Sequence, residues 1–295
     1  MSGKFQPPTP GPNEPFYVYN NSDTAKTLTI KHSDVNVYTQ QTGSYTNIVF
    51  TSTDGVNWSE GKKIYNTGNV IKYTIEPYQK LYIAGAGENF LETNEPGVAW
   101  SGKMIGINTI GGNILSLLYG TLFNGQTTYN KNTAATYKSG QFPRIFRTDL
   151  PADKLSFDLK DTIKDASKLL LPDEVHEYSF VNMFYGSTNL INPPKLPATR
   201  LTDYCYSSMF NGCTSLTEAP ELPATQLADN CYDSMFYGCT SLAKIKCLAT
   251  RNISAGCTSR WLTNTAATGT FIKAKGANWE SGDSGIPNGW NVQEV

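Results

Sequence analysis

Ser208-Met209-Phe210-Asn211-Gly212-Cys213-Thr214-Ser215-Leu216 returns 26 residues later as Ser234-Met235-Phe236-Tyr237-Gly238-Cys239-Thr240-Ser241-Leu242. The same period backward reaches Met183-Phe184-Tyr185-Gly186 and Leu190, and forward it reaches Trp261-Leu262. Leu196-Pro197-Ala198-Thr199, Leu222-Pro223-Ala224-Thr225 and Leu248-Ala249-Thr250 follow it, as do Cys205, Cys231 and Cys257. Self-similarity at a fixed period of this length marks a stack of units, none of which can bury its apolar face alone.

Each unit divides on physical grounds. Proline in Leu216-Thr217-Glu218-Ala219-Pro220-Glu221-Leu222 forbids a helix and leaves one short strand. In Leu227 to Phe236 the apolar residues fall at i, i+4, i+8 and i+9, a spacing that predicts a helical turn. A strand plus a short helix per unit is the leucine-rich repeat plan. Ile163-Lys164-Asp165-Ala166-Ser167-Lys168-Leu169 aligns with the 216–222 strand and is read as another repeat strand, and Gly111 to Leu118 as the start of the stack. Residues 120–145 are an insertion or a worn repeat, and Gly269 to Val295 breaks the period and should cap the last unit.

Upstream, Phe16-Tyr17-Val18-Tyr19 opens a series of alternating bursts at 27–30, 35–38, 47–50, 70–75 and 80–83, separated by turn residues such as Asn20-Asn21-Ser22-Asp23. That spacing predicts an antiparallel sandwich. The expected fold is therefore mixed β and α+β. An Ig-like β-sandwich at 16–95 precedes a leucine-rich repeat solenoid of 26-residue units at 96–268, with clear repeats at 183–268 and a cap at 269–295. Ser52-Thr53-Asp54-Gly55-Val56-Asn57-Trp58 lacks one residue of an Asp box and occurs once, so it reads as a hairpin with a core Trp58. Gly85-Ala86-Gly87-Glu88-Asn89-Phe90 lacks the third glycine of a dinucleotide loop and reads as a turn. Residues 1–15 hold five prolines and should run extended, either as a loose tail or as an arm that orders on a partner.

Composition narrows the function. The 295 residues carry 24 Lys+Arg against 25 Asp+Glu, a net charge of −1 that gives no bulk electrostatic case for nucleic-acid binding. Two histidines, His32 and His176, exclude a multi-histidine metal site, and His176 beside Glu174 and Glu177 reads as solvated rather than as acid–base machinery. No carboxylate pair at a fixed separation points to glycoside hydrolysis. Neither a signal segment nor an apolar run of membrane-spanning length is visible, so the chain is expected to stay in the cytosol that makes it and not to insert in a membrane. All six cysteines lie in the repeat, at 205, 213, 231, 239, 247 and 257. Adjacent units about 4.8 Å apart would permit disulfides, but a cytosolic origin favours reduced, buried thiols. Their eight-residue spacing does not match a zinc knuckle, and no cofactor is expected.

The Met-Phe-x-Gly-Cys-Thr-Ser-Leu unit, the Leu-Pro-Ala-Thr step and the tail Gly285-Ile286-Pro287-Asn288-Gly289-Trp290 resemble BspA-type leucine-rich repeat proteins of gut and oral bacterial surfaces and of virions of phages infecting gut bacteria. The resemblance covers about residues 98 to 295 and is most specific after Phe180. It implies a non-enzymatic, adhesive or structural role and no catalytic set. A phage virion protein needs no export signal, so the expected function is a head-decoration, fibre or tail-associated subunit. The alternative is a bacterial surface adhesin whose export signal was removed. Its partners would be other virion proteins, met through the N-terminal arm and β domain, together with a host-surface glycan or protein. Symmetric homo-oligomers are common among fibres, yet no heptad or triple-strand pattern supports one, and the oligomeric state stays open.

The repeat itself points to a contact surface. Positions 192/218/244 read Asn, Glu, Lys and 194/220/246 read Pro, Pro, Lys, while the Leu, Met-Phe and Cys columns stay fixed. Residues that vary beside a strand should face solvent. The candidate surface is Asn192, Lys195, Glu218, Glu221, Lys244 and Lys246, joined by Tyr185, Tyr206, Tyr232 and Tyr237 if these are exposed, since tyrosine contributes contact area at low entropic cost.

Overall fold

A computed structural model describes residues 14–32, 46–65, 70–87, 102–114, 117 and 163–295. The alternating bursts of the first part become β1 (Tyr17–Tyr19), β2 (Lys26–His32), β3 (Thr46–Ser52), β5 (Val70–Ile75) and β6 (Lys80–Gly87), with β4 (Lys62–Tyr65) between β3 and β5. The burst at 35–38 and the worn repeat at 120–145 lie outside the described residues. β7 (Gly102–Ile105) and β8 (Thr109–Asn113) follow, so the β part continues past residue 95. One sheet has the order β4-β3-β6-β1-β8-β9, where β9 is Asp165–Leu170, and a second has the order β5-β2-β7. Phe16, Val18, Val49 and Ile83 of the first sheet and Leu28, Ile30 and Ile75 of the second share one buried cluster.

Among the described residues of 16–95 the strand pairs are antiparallel: β1 with β6, β2 with β5, and β3 with β4 and β6. Beyond residue 95 the first sheet is extended by β8 and by β9, which runs parallel to β8. Gly85, Ala86 and Gly87 are not a turn, because they pair with Val49, Ile48 and Asn47 as the end of β6. Trp58 is half-buried and so is not a core anchor for its hairpin. That loop is held instead by Asp54, whose Oδ1 accepts from the N–H groups of Val56 at 2.9 Å and Asn57 at 2.8 Å. Buried Asn20 pins the start of the β part: its Nδ2 donates to the carbonyls of Thr24 at 2.8 Å and Ile75 at 2.9 Å.

The helix expected in each repeat unit is absent, and with it the α+β, strand-plus-helix leucine-rich repeat solenoid. No helix of any length is formed in residues 163–295. The reason is a left-handed residue at every fourth position: Tyr178, Asn182 and Gly186, then Tyr204, Ser208 and Gly212, then Asn230, Ser234 and Gly238 all have φ between 51° and 75°. A right-handed helix cannot pass through such positions. Each segment is instead a train of tight turns, in which Ser207 N–H donates to Tyr204, Met209 to Tyr206 and Asn211 to Ser208 at 3.1–3.2 Å. Turns repeating every four residues return an apolar side chain to the inside at i, i+4 and i+8, which is the period that mimics a helix in the sequence.

The residues between turn donors stitch neighbouring units. Phe184 donates to Met209 at 2.9 Å, Phe210 to Met235 at 3.0 Å and Phe236 to Trp261 at 2.9 Å. Tyr206 donates likewise to Cys231, and Tyr232 to Cys257. At the alternating positions from Tyr178 to Gly186, Tyr204 to Gly212 and Asn230 to Gly238 these bonds run from an N–H of one unit to a carbonyl of the next, while just past the train Ser215 donates back to Thr188 at 3.1 Å. Units in this register stack like residues on like. Phe184, Phe210 and Phe236 lie face to face with centroids 5.6 and 5.5 Å apart, and Phe180, Tyr206, Tyr232 and Trp261 form a second column.

On the other side of each unit, the expected row of strands is reduced to isolated bridges such as Asp165↔Asn192, Glu218↔Lys244 and Leu222↔Cys247. Pro194 and Pro220 supply no N–H, which breaks the ladder. Where lysine replaces proline, at position 246, a true strand forms as β10 (Lys244–Cys247). The tail adds β11 (Thr270–Lys273) and β12 (Asn291–Glu294) parallel to it. Trp279 covers the end of the ring column, stacked on Trp261 at 5.2 Å.

Candidate functional site

Bridges and strands place the variable residues in two exposed columns. Asn192, Glu218 and Lys244 occupy one, continued by Thr270 and Asn291 through the β10-β11-β12 register. Lys195, Glu221 and Lys246 flank the next inward-facing position. Glu218 and Lys244 join across units at 2.7 Å, and Glu221 and Lys246 at 3.2 Å, each with side chains a third to three-fifths exposed. Exposed pairs of this kind contribute at most about 1 kcal/mol. Their effect on the surface is to cancel charge along the stack, leaving Lys195 and Asn192 on the unit before them.

The tyrosines divide. Tyr206 and Tyr232 are 1% exposed and belong to the ring column of the core, so they leave the candidate surface. Tyr185 and Tyr237 are half-buried and sit in the turn trains, not in the bridge-forming segments that carry the charged residues. The aromatic pair that does reach the surface is Tyr178 on Tyr204, stacked at 4.9 Å and half-buried. A reading tied to the Met-Phe-x-Gly motif passes over this pair, although its 26-residue spacing is visible in the sequence.

Nothing in the turn trains resembles a reactive centre. All six cysteines are buried and unpaired. The thiols of Cys213 and Cys239 donate to the carbonyls of Phe184 at 3.2 Å and Phe210 at 3.1 Å. Burial pushes the thiols of Cys205, Cys239 and Cys247 up to about 12, and those of Cys213 and Cys231 up as well. A thiol so shifted carries little thiolate at neutral pH, and thiolate is the nucleophile. His176 uses its main chain in a turn, its N–H donating to Ser179 Oγ at 2.8 Å. Among the described residues no group of three or more His, Cys, Asp or Glu could hold a metal ion, and no helix is long and apolar enough to cross a membrane.

Near the N-terminus Glu14 meets Lys80 at 2.6 Å and accepts from the Tyr82 hydroxyl at 3.1 Å, while Lys80 lies 4.0 Å over the ring of Tyr17. Pro15 bridges to Asn113. These contacts fasten the chain entering from the proline-rich segment to the first sheet. Burial raises the Tyr17 and Tyr82 hydroxyls, and the neighbouring Glu14 carboxylate adds to both shifts.

Comparison with known protein families, curated proteins and solved structures finds no match.

Proposed function

We propose that this chain is a non-enzymatic structural protein of a phage virion: a head-decoration, fibre or tail-associated subunit that docks through its N-terminal arm and β part and presents the repeat stack to a protein or a host surface. The observation that carries the reading is the division within each unit. Ring, Met and Cys columns repeat from unit to unit in the core, while the exposed positions change from Asn192 to Glu218 to Lys244. A scaffold that fixes its interior and varies its face suits binding more than chemistry. The Glu14–Lys80–Tyr82 contacts support the docking role, because they give a proline-rich arm a defined exit point. The likeness of the repeat motif to BspA-type proteins supports a contact role in either setting.

Mass spectrometry of purified virions, run beside the outer-surface fraction of the host cells, tests the reading. Peptides of this chain in the virion fraction are the expected result. Their presence on host cells alone would replace the virion role with that of a surface adhesin.

A further inference from the structure

The one-way stitching of the turn trains leaves a row of donors at its far end. Asn230, Tyr232, Ser234, Phe236 and Gly238 each donate to the following unit. The equivalent residues one period later are Gly256, Thr258, Arg260, Leu262 and Asn264, and their N–H groups find no acceptor among the described residues. The tail crosses part of this end through side chains: Thr258 Oγ1 donates to Ser284 O at 2.6 Å and Trp261 Nε1 to Gly285 O at 2.8 Å. Beside that crossing a cleft of about 250 Å³ stays open, bounded by Leu262, Thr263 and Asn264 on the stack and by Asp283, Pro287 and Asn288 on the tail.

We propose that this cleft binds a neutral sugar, with the N–H groups of Leu262 and Asn264 donating to its hydroxyl oxygens and Asp283 accepting from its hydroxyl hydrogens. Elimination by chemistry leads there. An apolar ligand would leave the N–H row desolvated without partners, which is costly. An anion would meet the Asp283 carboxylate, and a cation would meet the N–H groups. A hydroxyl both donates and accepts, so a diol satisfies donors and a carboxylate placed side by side. The volume lies below the roughly 300–1,000 Å³ of pockets for drug-sized ligands and suits a ring-sized one. The inference stands apart from the virion reading, since an adhesin would retain the same cleft.

The test is saturation-transfer NMR and calorimetry on the full chain with the methyl glycosides of glucose, galactose, mannose and N-acetylglucosamine. At least one should bind. Asp283→Ala, on an exposed turn, should weaken it by about tenfold or more, as expected for loss of a hydrogen bond to a charged group. Glu221→Ala on the charged columns should leave it unchanged. Melting temperatures check that the variants fold. The proposal is overturned by no binding of any glycoside, by equal binding in wild type and Asp283→Ala, or by inorganic phosphate or acetate binding that strengthens in Asp283→Ala.

Discussion

Phe210 is fully buried between Phe184 and Phe236, stacked on both within 5.6 Å. Phe210→Ala removes a ring with neighbours fixed on two sides by the stitching bonds, so the site collapses poorly. It should cost about 3–5 kcal/mol in chemical denaturation. The cysteines give a pH signature. Their folded-state pKa values, about 12 for Cys205, Cys239 and Cys247, lie above the ordinary 9.0 because burial disfavours the thiolate. In that interval the unfolded chain has released protons that the native chain still holds, so stability is full below about pH 9 and should fall as pH rises toward 12. Denaturant midpoints across this range check the sign, and native protein at neutral pH should resist alkylation until it unfolds. Burial of Cys and Met-Phe was legible in the sequence because those columns do not vary. Burial of Tyr206 and Tyr232 was not, since a tyrosine in one column looks like a contact residue until the rings above and below it, Phe180 and Trp261, are seen to occupy the same column.

At the scale of the element, the turn train depends on its left-handed positions. Gly212, at φ +75°, has only ordinary contacts where a Cβ would stand, 3.6 Å from Gly186 Cα, so Gly212→Ala is opposed by backbone conformation and not by space. It should cost about 1–2 kcal/mol, read as a shift in the denaturation midpoint, and Gly238→Ala should cost about the same. Gly269→Ala should be worse, because its Cβ would lie 2.6 Å from the Ala243 carbonyl and 2.7 Å from the Trp290 ring. The 26-residue period was legible, and so was a strand over 163–169, which forms as β9 over Asp165–Leu170. The turn train was not: apolar residues at i, i+4 and i+8 fit a helix as well as a run of four-residue turns. The signal that separates them is weak, namely Asn, Ser or Gly at 182/186, 208/212 and 234/238. The cleft at the end of the stack was equally hidden, because which way an N–H points has no sequence signature.

For the whole molecule, the parallel pair β8 and β9 and the bridge from Asp165 to Asn192 carry one ladder from the first sheet into the repeat. One buried cluster runs from Phe16 to Trp290. The β part and the stack should therefore unfold together, with tryptophan fluorescence, which reports on five tryptophans from Trp58 in the β part to Trp290 in the tail, and far-UV circular dichroism tracing coincident transitions. Two resolved transitions would separate them. The account rests most heavily on units stitched one way and ending in an open row of donors. Residue-resolved hydrogen exchange by NMR tests this directly. The N–H groups of Phe184, Tyr206, Phe210, Tyr232 and Phe236 should be strongly protected, while those of Arg260, Leu262 and Asn264 exchange fast despite lying in the same motif. Equal protection of the last unit, as a helix with bonds inside each unit would give, would contradict the account.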